Sequence, residues 1–283
     1  MKTVHSKTDD VTVAFQGERG AYSESAVYSY FGSSVEVLPC KTFREVFDKV
    51  ERKEADYGVV PVENSLVGSV VETYDLFLEY DLKVRGEVII KVSHCLITNV
   101  ETDLDSVEVV YSHPQALAQC RRFLESFGRT LIPTYDTAGS VKMMKEKRLL
   151  NAAAIASEKA AEIYGMKIVA RDIADNPNNY TRFFVLGEED HPPTGNDKTS
   201  IIFSVPHKPG SLYNALAEFA KRDINLTKIE SRPTRKKLWE FNFYLDFEGH
   251  RRERKFMEAI EALKSKAYFV KILGSYPKAS NKI

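Results

Sequence analysis

The sequence predicts an α/β protein in which a mostly parallel sheet unit is followed by a smaller ferredoxin-like βαββαβ unit. Three observations carry this. Up to about residue 187, β-branched and aromatic runs alternate with amphipathic helical stretches, as strands joined by helical crossovers do. Residues 187–198, GEEDHPPTGNDK, then interrupt the pattern with two prolines and two glycines and read as a linker. Beyond them the order becomes strand, helix, strand, strand, helix, strand within about 85 residues.

The elements follow in order. Residues 11–15 are a β-branched and aromatic strand ending in Gly17-Glu18-Arg19-Gly20, and a helix runs from Ser23 to Phe31-Gly32. A strand at 35–38 precedes a helix at 43–53, whose Phe43, Val46, Phe47 and Val50 share one face. Apolar runs predict strands at 57–62, 88–97 and 107–111. A helix at 115–127 closes on Gly128. Asp136-Thr137 opens a helix to about residue 147, 152–156 is a strand, and Ser157 caps a helix stopping at Gly165. The last strand of this part is 180–186. The second part reads as strand 199–206, helix 210–222 opened by Pro209-Gly210, strands 224–233 and 238–247 joined by an Arg235-Lys236-Lys237 turn, helix 251–265 and strand 267–273.

Composition narrows the function. The chain has 283 residues, 43% of them apolar, enough for about two domains with sizeable cores. The longest apolar run is residues 152–156, far short of a membrane span. The N-terminal decapeptide lacks the apolar stretch of a secretory signal. Cys40, Cys95 and Cys120 are odd in number and widely spaced, which argues against a disulfide framework or zinc site and for a reducing cytoplasm. The six histidines show no metal-ligand spacing, so no metal is expected. Net charge is zero, from 40 basic and 40 acidic residues. That neutrality conceals a split: residues 199–283 carry 17 Lys+Arg against 9 Asp+Glu, so residues 1–198 are acidic by the same margin. The basic runs lack interleaved aromatics and read as a solvated face rather than a nucleic-acid footprint.

Four polar clusters fall where strands end and helices begin, the place where open parallel sheets bind small ligands. They are Gly17-Glu18-Arg19-Gly20-Ala21-Tyr22-Ser23, then Pro61-Val62-Glu63-Asn64-Ser65 with Gly68-Ser69-Val70, then Ser112-His113-Pro114-Gln115, and finally Asn178-Asn179-Tyr180-Thr181-Arg182-Phe183. The first lacks the third glycine of a dinucleotide fingerprint. Each is compatible with ordinary turns and caps. Together they indicate a small-anion cleft, with Arg182 offering a fork for a carboxylate.

The four clusters in this order resemble the prephenate dehydratase family, whose motifs G-x-x-G-x-[YF]-[ST], P-V-E-N-S-x-x-G-x-V, S-H-P-Q-A-L-x-Q-C and T-R-F all have counterparts here. The C-terminal part resembles an ACT regulatory domain, through Pro209-Gly210-Ser211-Leu212 and Glu230-Ser231-Arg232-Pro233; Ser211 stands where the family often has alanine. No helical chorismate mutase segment is seen before residue 11.

The resemblance implies a bilobed catalytic domain like the type II periplasmic binding proteins over residues 1–187, a linker at 188–198 and an ACT domain at 199–283. It implies decarboxylating dehydration of prephenate to phenylpyruvate without a cofactor, in the cytoplasm, under feedback control by L-phenylalanine bound between subunits of a homodimer or homotetramer. Arogenate, the aminated analogue, is the alternative substrate, and a non-catalytic amino-acid sensor the alternative function. Thr181 is then the catalytic residue, hydrogen-bonding the leaving oxygen. Asn64, Ser65, Ser112, His113, Gln115, Arg182 and Phe183 would bind substrate, with Arg19 and Lys41 as further local cations. Gly210, Ser211, Leu212, Asn225, Glu230 and Ser231 would bind the effector.

Overall fold

The computed structural model describes residues 11–234 and 240–279. The Arg235-Lys236-Lys237 turn and the N-terminal decapeptide lie outside the described residues. The chain forms two compact units that do not follow chain order. One comprises the residues up to Leu76 together with Val88–Phe183; the other comprises Phe77–Glu87 together with Phe184 onward.

The first unit contains two lobes. One sheet is built from β1 (Thr12–Gln16), β2 (Glu36–Cys40), β3 (Tyr57–Asn64), the short β4 (Gly68–Ser69), β5 (Lys83–Lys91) and β11 (Tyr180–Gly187), in the order β2-β1-β3-β11-β5 with β4 pairing β3; residues 83–87 of β5 and 184–187 of β11 are counted with the second unit. The β1–β2 and β1–β3 pairs are parallel. Helices α1 (Tyr22–Phe31), α2 (Phe43–Glu51) and α3 (Val71–Glu79) interleave with these strands. Val46, Phe47 and Val50 are buried, as the 43–53 periodicity predicts. The second sheet has β6 (Cys95–Thr98), β7 (Val109–Ser112), β8 (Thr130–Pro133), β9 (Ala152–Ala156) and β10 (Lys167–Ala170), ordered β10-β6-β9-β7-β8. With it go α4 (Pro114–Gln119), α5 (Arg121–Phe127), α6 (Thr137–Glu146) and α7 (Glu158–Tyr164). Its pairs are parallel at β7–β8 and β7–β9 and antiparallel at β6–β9 and β6–β10. Leu96, Val110, Leu124, Ala153 and Ile155 form its core.

Two sequence expectations change. The strand expected at 88–97 is two strands in different sheets, broken at residues 92–94, where Val92 N donates to the Asn179 carbonyl at 2.8 Å. This is where the chain crosses between lobes, and a continuous apolar run hides such a crossing. The helix expected at 115–127 breaks at Cys120, which has φ −113 and ψ 25 and joins α4 to α5. Strands β8 and β10 and helix α3 were not anticipated.

In the second unit, β12 (Asp197–Ser204), β13 (Leu226–Pro233), β14 (Phe241–Glu248) and β15 (Phe269–Pro277) form an antiparallel sheet ordered β13-β14-β12-β15, with α8 (Ser211–Ala220) and α9 (Arg254–Lys264). That is the ferredoxin-like split βαββαβ arrangement expected from the element order. Ile201, Phe203, Phe219, Leu245, Phe247 and Leu263 fill the core under the helices. Residues 77–87 belong to this unit: the buried Glu87 pairs with Lys198 at 3.0 Å, and Lys271 Nζ donates to the Tyr80 carbonyl at 2.7 Å. Several arginines of the basic run are paired, Arg251 and Arg252 with Asp190 and Arg254 with Glu258.

Candidate active site

A cavity of about 470 Å³ opens between the two sheets of the first unit. Five helices begin at its wall: α1 contributes Tyr22 and Ser23, α2 Thr42 and Phe43, α3 Glu72 with Val70 just before it, α4 His113 and Gln115, and α6 Asp136 and Thr137. Helix N-termini present unpaired N–H groups and the positive end of the backbone dipole. Several of them converging on one cavity favour an anionic ligand. Three are capped by their own residues: Thr42 accepts from Glu45 N, His113 Nδ1 from Gln115 N, and Asp136 from Gly139 N. Helix α1 starts at Ala21 with no side-chain cap. The exposed Lys41 adds a positive charge to the wall.

Strands β3 and β11 bring Asn64, Thr181 and Phe183 to the same cavity. Asn64 is buried and fully engaged. Its Oδ1 accepts from the amides of Leu66 and Val67 at 3.0 and 3.2 Å, and its Nδ2 donates to Asn179 Oδ1 at 2.7 Å and Thr181 Oγ1 at 3.0 Å. The amide donor occupies a lone pair of the Thr181 hydroxyl, so the Thr181 proton remains for an acceptor in the cavity. A donor neighbour cannot take that proton, which suits Thr181 as a hydrogen-bond donor and not as a nucleophile activated by a base.

The other expected substrate ligands divide. His113, Gln115 and Phe183 line the cavity. Ser65, Ser112 and Arg182 are not among its lining residues. Ser65 fastens the start of β11, accepting from Tyr180 N at 2.9 Å and donating to the Asn178 carbonyl at 3.1 Å. Ser112 is fully buried and donates to the Ile155 carbonyl at 2.6 Å. Arg182 pairs with Glu63 at 3.4 Å, because successive residues of a strand face opposite ways and Thr181 and Phe183 take the cavity side. Arg19 pairs with the buried Glu24. Sequence reasoning passed over Tyr135 at the cavity and His94 behind it and gave Asp136-Thr137 only as a helix start; Gln119 and Asn179, also behind the cavity, fall inside the third motif and the fourth cluster but were given no role.

A polar clasp joins the lobes beside the cavity. Tyr135 Oη donates to Glu18 Oε1 at 2.7 Å, Lys142 Nζ to Glu18 Oε2 at 2.9 Å, and Glu18 N to Asp136 Oδ2 at 3.1 Å. Burial works to raise the Glu18 carboxyl, but Tyr135 and Lys142 outweigh it and hold it below its ordinary value. Burial raises the Asp136 carboxyl and lowers the His113 and His94 imidazoles. A lowered imidazole binds fewer protons folded than unfolded below its ordinary 6.5, so stability rises with pH through that window. The melting temperature is therefore expected to fall as pH drops from 6.5 towards about 5; thermal scans across that range that show a rise would contradict this assignment.

The family model for prephenate dehydratase matches residues 13–191, and that for the ACT domain matches residues 199–265. The chain belongs to the prephenate dehydratase family. It is 46% identical over 271 residues to the bifunctional chorismate mutase/prephenate dehydratase of Aquifex aeolicus, covering 95% of this chain and 74% of that protein. It is 46% identical over 278 residues to arogenate dehydratase/prephenate dehydratase 2 of Arabidopsis thaliana, covering 94% and 73%. Among solved structures, the prephenate dehydratase of Arthrobacter aurescens in complex with L-Phe superposes with a TM-score of 0.86 at 30% identity, covering 95% of this chain and 90% of that one. GqqA, described as a quorum quenching acylase, superposes equally well at 33% identity, covering 95% and 98%. One scaffold thus hosts more than one described chemistry.

In the ACT domain, a pocket of about 110 Å³ is lined by Val205, Pro206, His207, Lys208, Ser211, Leu212, Glu240, Phe241 and Phe243. Two of the expected effector residues, Ser211 and Leu212, are in this lining, and Gly210, with φ +80, makes the left-handed turn into α8. Asn225, Glu230 and Ser231 are not in this lining: Asn225 donates to Glu248 at 3.0 Å, Glu230 pairs with Lys228 at 3.3 Å, and Ser231 is exposed on the edge strand β13. Among the described residues no helix is long and apolar enough to cross a membrane, and no group of three His, Cys, Asp or Glu is placed to hold a metal.

Proposed function

We propose that the chain catalyses the decarboxylating dehydration of prephenate to phenylpyruvate and is regulated by L-phenylalanine at its ACT domain. The observation that carries the reaction is the Thr181 hydroxyl, held by the Asn64 amide at 3.0 Å, in a cavity ringed by helix N-termini. Prephenate carries two carboxylates and a ring hydroxyl. The bond to the ring carboxylate breaks, and its electron pair enters the ring as carbon dioxide leaves. The C–O bond breaks in the same sense, and the departing hydroxide takes a proton to become water. Aromatisation supplies much of the driving force, so the protein needs to bind the dianion and hydrogen-bond the departing oxygen in the transition state. Thr181 makes that bond; the α1 N-terminus and Lys41 receive carboxylate charge; His113, Gln115 and Phe183 shape the site. Arg182 acts through Glu63 and the β11 backbone, with Ser65 and Ser112 holding the frame. Residues 1–187, 188–198 and 199–283 serve as catalytic domain, linker and regulatory domain.

The acidic balance of residues 1–198 would repel a dianion at long range, so recognition is local. Raising ionic strength from about 0.05 to 0.5 M is expected to change kcat/KM by less than about threefold. A steep fall in a stopped assay series would show that long-range steering, not the local site, captures substrate.

For the effector, the Ser211–Leu212 pocket and the Glu230–Ser231 edge are complementary halves if a second copy of the chain supplies the other side. On this reading the protein acts as a homodimer or homotetramer with phenylalanine between subunits, in the cytoplasm. The deciding experiment offers purified protein prephenate and arogenate separately and follows phenylpyruvate and phenylalanine, with and without added L-phenylalanine. Turnover of prephenate that responds to phenylalanine is expected. No turnover of either substrate overturns the catalytic reading, preference for arogenate reassigns the substrate, and indifference to phenylalanine overturns the regulatory one.

A further inference from the structure

The hydrogen-bond chain behind Thr181 has a direction, and it can be read from its backbone anchor. The Leu66 and Val67 amides can only donate, so the Asn64 oxygen must face them and its Nδ2 must face Asn179 and Thr181. Asn179 therefore presents Oδ1 to Asn64 and Nδ2 to Gln119, whose Oε1 accepts at 3.0 Å. The same Gln119 oxygen lies 2.9 Å from His94 Nε2. A carboxamide oxygen carries no proton, so the proton of that bond sits on Nε2. Reversing Gln119 would set its NH₂ against the NH₂ of Asn179, and reversing both would set Asn179 against the pinned amide of Asn64. Gln119 keeps its orientation even though its Nε2 is buried with no hydrogen-bond partner among the described residues, a cost of the kind that only a strong competing constraint sustains.

We propose that His94 is a positioning residue: the proton on its Nε2 holds Gln119 in the one orientation that lets Asn179 and Asn64 aim the Thr181 hydroxyl into the cavity. This rests on the dehydratase reading for its substrate. His94 is 2% exposed and sits in the break between β5 and β6, where the chain passes from one lobe to the other. Its ring is fixed by Tyr22, in edge contact at 5.7 Å, whose single hydroxyl proton lies between two acceptors, Nδ1 at 3.1 Å and the Ser93 carbonyl at 2.5 Å. Tyr22 itself lines the cavity, so both ends of this network reach the site. Burial keeps the imidazole below its ordinary pKa, which leaves one proton on the ring at neutral pH, and the chain's direction places it on Nε2.

Two measurements on the full chain test this. In protein labelled with ¹⁵N at the imidazoles, with the His94 signal identified by its loss in His94→Gln, Nε2 is expected to be protonated and Nδ1 bare at pH 7. A proton on Nδ1 alone, or on both nitrogens, overturns the proposal. In kinetics with prephenate, His94→Leu removes the Nε2 donor and is expected to lower kcat about 10- to 100-fold with KM within about twofold. His94→Gln places an amide N–H near the Nε2 position and is expected to recover kcat to within about threefold. Unchanged kcat in a folded His94→Leu, or a His94→Gln no better than His94→Leu, overturns the proposal. If His94→Leu does not fold, His94→Gln and the tautomer decide. Wild-type protein that never turns over prephenate would sink the dehydratase reading instead, and the tautomer needs no turnover to be read.

Discussion

Thr181→Ala is expected to lower kcat on prephenate by roughly 10²–10⁴-fold, the range for loss of one positioned proton donor. The side chain is half-buried at the start of β11, and removing its hydroxyl leaves the backbone pairing of that strand intact. The fold should therefore survive, and the loss should appear in kcat and kcat/KM together, because the bond to the departing oxygen forms only as charge develops there. Asn64 would lose one acceptor but keep the Asn179 oxygen at 2.7 Å. Thr181→Ser, which keeps the hydroxyl, should recover most of the activity, whereas Thr181→Val, which keeps the shape, should not. A steady-state series giving near-normal kcat for Thr181→Ala would remove Thr181 from the reaction.

Gly20→Ala is expected to destabilise the protein by about 2–5 kcal/mol and to cost about 100-fold in kcat/KM. Gly20 has φ +89, a left-handed conformation that an L side chain resists. A Cβ there would lie 2.6 Å from the Ala160 Cα and 2.9 Å from its Cβ, on helix α7 of the other lobe. Backbone cannot step aside as a flexible side chain can. The Gly20 carbonyl also accepts from Ser157 Oγ at 2.6 Å, and its amide donates to the buried Glu24 at 2.5 Å. The new methyl group would force the loop away from α7 and carry with it Tyr22 and Ser23, which line the cavity two and three residues on. Denaturant titration together with kcat/KM measures both effects. A midpoint shift equivalent to less than about 0.5 kcal/mol would show that the two lobes tolerate separation at this point.

These two residues were named from sequence, and the reasons are instructive. Gly20 sits in a turn that follows a strand end, where local pattern marks it; Thr181 stands at the start of β11, and its role came from the resemblance to the family. Arg182 was named as well, but its direction was not legible. Period-two alternation says that Thr181 and Arg182 face opposite ways, yet only a neighbouring strand decides which face is the cavity. Glu63 on β3 turned out to be the partner of Arg182 at 3.4 Å. Ser65 and Ser112 show the same limit: their hydroxyls are capable of binding a ligand, but each found a backbone partner, at 2.9 Å and 2.6 Å respectively.

The network behind Thr181 was illegible for a different reason. His94, Gln119, Asn179 and Asn64 are separated by up to 115 positions between directly bonded partners, and no spacing rule links them. His94 also lay inside an apolar run that reads as one strand. The run is in fact two strands in two sheets, because the lobes are joined there and a lobe crossing leaves no signature in hydrophobic period. The break at Cys120 within residues 115–127 is similar: the helical period continues across it, while the packing of α4 and α5 around Leu124 and Ala116 requires two axes.

By itself the sequence determined the alternation of strands and helices, the ferredoxin-like order of the C-terminal part and the four polar clusters, each of which lends residues to the cavity. Each depends on residues within a few positions of one another, where backbone sterics and burial periodicity act. Only the tertiary structure decided which polar side chains reach the cavity, which are consumed by backbone partners, and which way the hydrogen bonds behind Thr181 run. Those outcomes depend on donors and acceptors from distant strands meeting in a water-poor interior, where each buried polar group must take whatever partner the fold brings to it.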